Sequence, residues 1–299
     1  MEMLKISGLT KRFADKEVLR GIDLCVPEGS IFGFIGKNGA GKTTTMKAVL
    51  GLLKADAGEI YVSGEKAEYG ANTTNRYIGY LPDVPDFYWY MTAREYLSFS
   101  GEITGMSKPE INKRSDELLS LVGLQDEKSR VSGYSRGMKQ RLGIAAALLS
   151  KPKLLICDEP TSALDPVGRK EILDILCAVK EHTTVLFSTH ILSDVERICT
   201  DVAFLADGVI KTQGRLADVK QMFASDEYTV ELVNMKGAEE LSSAFGGVRM
   251  TGDAMVSFAE KDVSVYDVMR FVADRKIPMV KIEKAEPSLE SLFMEVADK

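Results

Sequence analysis

The stretch IFGFIGKNGAGKTTTMKAVLGLL, residues 31–53, decides the fold. Ile31-Phe32-Gly33-Phe34-Ile35 is an apolar run of strand length, and Met46–Leu53 reads as a helix. Between them, Gly36, Gly41, Lys42 and Thr43 meet the spacing G-x-x-x-x-G-K-[ST]. Glycines let the backbone turn tightly and bring several N–H groups onto phosphate oxygens. The helix start behind them adds partial positive charge. Lys42 would neutralise β/γ phosphates, and the Thr43 hydroxyl would ligate Mg²⁺. The whole loop, Gly36, Lys37, Asn38, Gly39, Ala40, Gly41, Lys42, Thr43 and Thr44, is the expected nucleotide cradle.

A second apolar run, Leu154-Leu155-Ile156-Cys157, leads into Asp158-Glu159. A buried parallel strand would present both acids at the carboxyl edge of a sheet, where open α/β sheets bind ligands. Asp158 would hold Mg²⁺, and Glu159 would polarise or deprotonate an attacking water. Apart from the loop above, this pair would be an ordinary strand end with two solvated acids. Between the two sites lies VSGYSRGMKQRLGIAAALLS, 131–150. Ser135 is a natural N-cap, and Gly137 leaves the first helical turn bare. That is a second anion site, for which one chain has no obvious use.

The 299 residues suit one large domain or two ordinary ones, and 45% hydrophobic with 27% charged content is that of a soluble globular protein. A net charge of −6 argues against a broad nucleic-acid footprint, so no nucleic-acid partner is expected. No run approaches the ~18 apolar residues of a membrane span, and the N-terminus lacks the apolar core of a signal peptide. A cytoplasmic protein, peripheral on the cell membrane's inner face, is the expectation. Cys25, Cys157, Cys177 and Cys199 form no CxxC pair and read as buried free thiols. Two histidines, His182 and His190, make a His-built metal site improbable.

Taken together, the motifs resemble the ATP-binding subunit of an ABC transporter. The P-loop is Gly36–Thr43, the signature segment is Tyr134-Ser135-Arg136-Gly137-Met138, and the strand LLICDE follows. Ser162-Ala163-Leu164-Asp165 resembles the D-loop, and FSTH at 187–190 the switch-histidine motif. Phe13 stands 23 residues before Gly36, where this family stacks an aromatic on adenine. The motifs occur once each, in family order, over about 1–215. The resemblance implies a P-loop α/β cassette that hydrolyses ATP with Mg²⁺. It implies a head-to-tail dimer, with itself or a cousin, in which ATP lies between one P-loop and Ser135, Gly137 and Asp165 of the other chain. It also implies that His190 positions the catalytic water and that a separate permease subunit moves the cargo. His182 reads as a plain loop residue near a helix end.

Two departures from the family pattern stand out. Arg136 and Met138 replace a glycine and a glutamine of the signature, a form similar to drug- and antibiotic-exporting members. Asp83, after IGYLP, stands where most members carry the Q-loop glutamine, and is expected to reach the metal directly or through water. Just beyond it, Phe87, Tyr88, Trp89 and Tyr90 lie where the family receives its membrane subunit. They either form a docking groove, where aromatics concentrate binding energy, or pack on their own domain.

Strand and helix signals alternate through the first part, with a helical insert expected over about 84–150. Within it, Ser107-Lys108-Pro109-Glu110 is a capping box. Asp207-Gly208 reads as a hairpin turn. The cassette is expected over 1–218 and a linker over 219–226. A small α+β domain of split βαβ type then fills 227–299 and closes on a helix at Ser288–Phe293. The alternatives are a non-transport ABC clamp, or another P-loop enzyme such as a GTPase or small-molecule kinase. An N-K-x-D guanine motif is missing, since Asn112-Lys113 is followed by Arg-Ser-Asp.

Overall fold

The computed structural model describes residues 2–70, 73–222, 226–284, 289–290 and 292–293. The chain divides into two compact units, Met1–Ala217 with Phe293–Lys299, and Asp218–Leu292.

The first unit opens on β1 (Glu2–Phe13), β2 (Lys16–Pro27) and β3 (Ile31–Ile35), followed by α1 (Lys42–Val49). Next come β4 (Ala57–Val62), β5 (Glu65–Lys66) and β6 (Ile78–Leu81). The helical insert follows as α2 (Ala93–Ile103), α3 (Lys108–Leu121) and α4 (Arg136–Leu148). The rest is β7 (Leu154–Asp158), α5 (Pro166–Val179), β8 (Thr184–Thr189), α6 (Leu192–Ile198), β9 (Asp201–Ala206), β10 (Val209–Arg215) and the start of α7 (Leu216–Met222).

Six strands make the central sheet, in the order β10-β9-β3-β8-β7-β6, parallel except for the β9–β10 hairpin. Every residue of β3, β7 and β8 is buried. This explains their unbroken apolar runs, because a parallel strand is covered on both faces. The order also sets β3 and β7 on either side of β8, so their carboxyl ends and the loops they feed converge.

The first part of the unit is less alternating than its sequence signals indicate. β1 and β2 pair antiparallel and join β4 and β5 in a separate sheet, β2-β1-β4-β5. One apolar cluster fills the space between the two sheets. Leu4, Ile6, Leu9, Leu19 and Leu24 come from the antiparallel sheet, Phe32, Phe34 and Ile156 from the parallel one, and Met46 and Val49 from α1. The P-loop helix is therefore held at the core of the unit. The predicted capping box is formed, with the Glu110 carboxylate accepting from the Ser107 amide and hydroxyl. Asp207 and Gly208, at φ 49° and 77°, make the β9–β10 turn.

The second unit holds β11 (Glu227–Leu232), α8 (Met235–Ala244), β12 (Arg249–Gly252), β13 (Met255–Ala259), α9 (Val265–Asp274) and β14 (Met279–Lys284). The antiparallel order β12-β13-β11-β14 interleaves two βαβ halves, which is the split βαβ arrangement. Its core joins Val230, Leu232, Val256 and Phe258 of the sheet to Leu241, Val268 and Val272 of the helices. β12 carries no alternating apolar signal, since all four of its residues are exposed. Residues 219–222, expected in a linker, are instead the second half of α7. Of the expected closing helix, Leu289, Glu290, Leu292 and Phe293 are helical, and Ser288 and 294–299 lie outside the described residues. The four cysteines are free, but only Cys157 is buried, while Cys177 is exposed and Cys25 and Cys199 are intermediate.

Candidate functional site

The P-loop geometry follows from its glycines. Gly41 caps α1 at φ 114°, a conformation that side chains resist, and a Cβ there would stand 2.6 Å from Leu19 Cδ2. A Cβ on Gly36 would meet the Leu205 carbonyl oxygen at 2.7 Å. The loop is thus clamped against β2 and β9. Lys42 is almost wholly buried, and its ammonium donates to the Gly36 carbonyl at 2.6 Å and reaches Glu159 Oε1 at 3.1 Å.

The acids stand on the neighbouring strand end. Asp158 accepts from the Thr43 hydroxyl at 2.7 Å and from the Ser188 hydroxyl at 2.6 Å. Ser188 in turn accepts from the Glu159 amide at 3.0 Å. One hydroxyl of β8 thereby fixes the Asp158 carboxylate and the Glu159 backbone at the end of β7, a role sequence reading missed, although Ser188 lies inside the FSTH stretch. Glu159 has φ 49°, unusual for a side-chain-bearing residue and costing on the order of 1–3 kcal/mol. That backbone turn points its carboxylate back to Lys42 and sets Oε2 2.9 Å from His190 Nδ1. The same low-dielectric edge raises the Tyr80 phenol to about 12, first through burial and then through the Asp158 charge.

These groups share one cleft of about 290 Å³, lined by Lys42, Thr43, Asp83, Asp158, Glu159 and His190 among others. A second cleft of about 300 Å³ runs along Lys16, Glu17, Val18, Lys37, Ala40 and Phe293. Asn38 and Gly39 line both, so the crest of the P-loop stands between them. Phe13 is exposed at the end of β1, lines neither cleft, and has the Lys11 ammonium 5.3 Å from its ring centre. Burial raises the Asp83 carboxyl; the Arg136 charge opposes that, and the Asp158 and Glu159 charges add to it.

Ser135, Gly137 and Asp165 line neither cleft. The Ser135 hydroxyl accepts from the Met138 amide at 3.2 Å and caps α4; Asp165 accepts from the Gly168 amide at 3.2 Å and caps α5. A Cβ on Gly137 would meet nothing closer than 4.0 Å, so the space this glycine leaves is open. His182 is exposed just past α5, its amide bonded to the Val179 carbonyl, as a loop residue.

The aromatic segment packs on its own domain along one edge and leaves the other edge exposed. Phe87 packs edge-on against Tyr96 and Tyr88 against Phe99, both of α2, at ring distances of 4.8 and 5.4 Å. Trp89 is nonetheless 68% exposed and Tyr90 47%. The segment is pinned by the Ser132 amide on the Trp89 carbonyl and the Val131 amide on the Met91 carbonyl.

An oxygen pair such as Thr43 and Asp158 suits Mg²⁺, which favours one or two protein oxygens completed by phosphate and water. Among the described residues no group of three or more His, Cys, Asp or Glu could hold a metal by itself. No described helix is long and apolar enough to cross a membrane.

Comparison with known proteins agrees with this geometry. The ABC transporter family pattern matches residues 19–162. An uncharacterized ABC transporter ATP-binding protein of Bacillus subtilis, YxlF, is 38% identical over 98% of this chain and 99% of its own length. The bacitracin transport ATP-binding protein BcrA of Bacillus licheniformis is 42% identical over 69% of this chain and 67% of its own. A solved ATP-binding subunit of an ABC transporter superposes with a TM-score of 0.67 at 33% identity, covering 74% of this chain and 93% of that one. The ATP-binding cassette MJ0796, solved as a dimer with ADP and phosphate, gives 0.64 at 26% identity, covering 72% and 99%. With a P-loop, a paired-acid strand end and a histidine in one cleft, this chain belongs to the ATP-binding subunits of ABC transporters and is an ATPase.

Proposed function

We propose that this ATPase drives a separate membrane permease, in the export direction, as a dimer of cassettes on the cytoplasmic face of the membrane. The observation that carries it is the cleft in which Lys42, Thr43, Asp158, Glu159 and His190 converge. Lys42 binds the phosphates, in exchange for its contact with Glu159. The freed Glu159 carboxylate takes a proton from water, and His190, beside Oε2, orients it. Thr43 and Asp158 hold Mg²⁺, which when bound neutralises charge on the phosphate oxygens. Asp83 adds a carboxylate at the same cleft, so nucleotide binding leans on Mg²⁺ more than a neutral glutamine would require. Asp83→Gln should weaken the Mg²⁺ dependence of ATP binding; an unchanged dependence removes Asp83 from the metal set. The nucleoside extends along Lys16–Val18, with Phe13 stacking on the base.

Ser135, Gly137 and Asp165 complete the site of a second chain, homologous or identical. Their exposed caps support this reading, and MJ0796 was solved as a dimer. Export is favoured by the YSRGMKQRL segment and by BcrA, a bacitracin transport protein. Phe87, Tyr88, Trp89 and Tyr90 receive the permease, because their outer edge stays exposed while their inner edge is anchored on α2. The test is co-purification: the tagged chain should retain a membrane protein from detergent extracts, and Trp89→Ala should lower that yield. Recovery with ribosomes or DNA instead would favour the non-transport clamp.

A further inference from the structure

The two positions that depart from the family pattern face each other. Asp83 stands in place of the Q-loop glutamine and Arg136 in place of a signature glycine. Arg136 Nη2 lies 3.5 Å from Asp83 Oδ1, and both side chains are about half exposed, at 45% and 46%. That oxygen is itself shielded from solvent and makes no hydrogen bond; the guanidinium charge faces it, while the Ser162 side chain also favours the charged carboxyl. Two further contacts join the same elements. The buried Gln140 side chain donates to the Asp83 carbonyl at 2.7 Å. A Cβ on Gly143 would stand 2.4 Å from Leu81 Cδ1 and 3.4 Å from Pro85 Cβ, so α4 lies directly against the segment on both sides of Asp83. Arg136, Gln140 and Gly143 fall at i, i+4 and i+7, on one helix face.

We propose that Arg136 is a positioning residue for Asp83: it ties the loop leaving the nucleotide cleft to the first turn of α4 in the same chain. A glycine cannot make this tie, and a glutamine at 83 would give it no charge to hold. The pairing thus explains both departures at once. It also gives Arg136 a choice of partners, because it is the first residue of the helix whose cap is read above as a phosphate site for a second chain. A phosphate is a better bidentate partner for a guanidinium than one carboxylate oxygen at 3.5 Å. An ATP arriving at that helix start therefore competes with Asp83 for Arg136, and the loop loses its hold on α4. The inference rests on the proposed two-chain site for that competition, whereas the tie itself needs no nucleotide.

The single tryptophan reads this out without a label, since Trp89 lies on the same loop and is exposed. The experiment compares the full chain with Arg136→Gln, Asp83→Asn, the double variant, and Arg136→Lys. It measures acrylamide quenching of Trp89, ATP affinity, and kcat separately from KM. Each single charge removal should shift the ATP KM by about two- to fivefold, the scale of an exposed ion pair, and should change the quenching constant of Trp89 measurably. The double variant should shift them no further than either single one, and Arg136→Lys should recover much of the loss. Raising NaCl from about 0.05 to about 1 M, where the screening length falls to ~3 Å, should move Trp89 in the wild type and leave Arg136→Gln unmoved. Additive single effects, or a Trp89 signal indifferent to Arg136→Gln, would overturn the proposal. If Arg136→Gln fails to fold, Arg136→Lys and the wild-type salt titration carry the same test. A wild type that binds no ATP would refute the reading of the cleft instead, and quenching measured without nucleotide would still decide the tie.

Discussion

The nucleotide cleft and the start of α4 are built on opposite plans. In the cleft, the chain answers its own polar groups: Thr43 and Ser188 serve Asp158, Ser188 also serves Glu159, and Lys42 serves Glu159. Asp158, Glu159 and Ser188 sit at the ends of fully buried strands, and Lys42 and Thr43 open α1, whose Met46 and Val49 pack in the core, so their positions are set by the core. At the start of α4, Ser135 caps its own helix, Gly137 opens outward, and Arg136 leans on a half-exposed acid. The first arrangement is closed on itself by hydrogen bonds, and the second is open to solvent.

The largest effect expected falls on the closed side. Glu159→Gln should lower kcat by ~100-fold or more, the usual scale of a lost general base, while ATP still binds. Full turnover in that variant would break the comparison by removing Glu159 from the chemistry. Ser188→Ala comes next. It strips a buried hydrogen bond from Asp158 and another from Glu159, at about 1–3 kcal/mol. Thermal denaturation should show a Tm lower by roughly 2–4 °C per kcal/mol, and the Mg²⁺ requirement should rise on the order of tenfold. A merely structural Ser188 would lower Tm and leave the Mg²⁺ requirement alone. The smallest effect belongs to the open side: Ser135→Ala should cost about 1 kcal/mol as a lost cap. ATP-driven association, followed by light scattering, should weaken more than ATP affinity does. Equal losses in both would mean that Ser135 serves its own helix only.

Much of this was legible in the sequence because the site lies where pattern and chemistry coincide. An apolar run ending in Gly-rich or Asp-Glu residues states both the strand and what its end presents, so Gly36–Thr43 and Asp158-Glu159 could be read directly. The caps at Ser107 and Ser135 were readable for a similar reason, since a cap is a local bond, whereas Asp165 was read only through the family pattern and its cap on α5 was missed. What escaped was whatever depends on residues far apart in the chain. Ser188 looks like any strand serine until β8 is placed beside β7. Arg136 reads as a subfamily mark until the loop after β6 is laid on α4. β12, with four exposed residues, offers no periodicity to detect. The β1–β4 pairing that joins two local hairpins into one antiparallel sheet also went unread, because strands so far apart in the chain leave no local mark.

The path of the chain after β14 has a practical consequence for anyone who wishes to cut or splice this protein. Phe293 returns to the first unit, where its ring lies 6.0 Å from that of Phe204, a fully buried residue of the central sheet. In topological terms Asp218–Leu292 is an insertion with two seams, not a tail with one. A truncation after Ala217 would uncover Phe204, and a chimera made by exchanging everything beyond it would import a foreign plug for that ring. A graft of Asp218–Leu292 alone keeps Phe293 native, but its first cut falls inside α7, so the incoming segment must continue that helix.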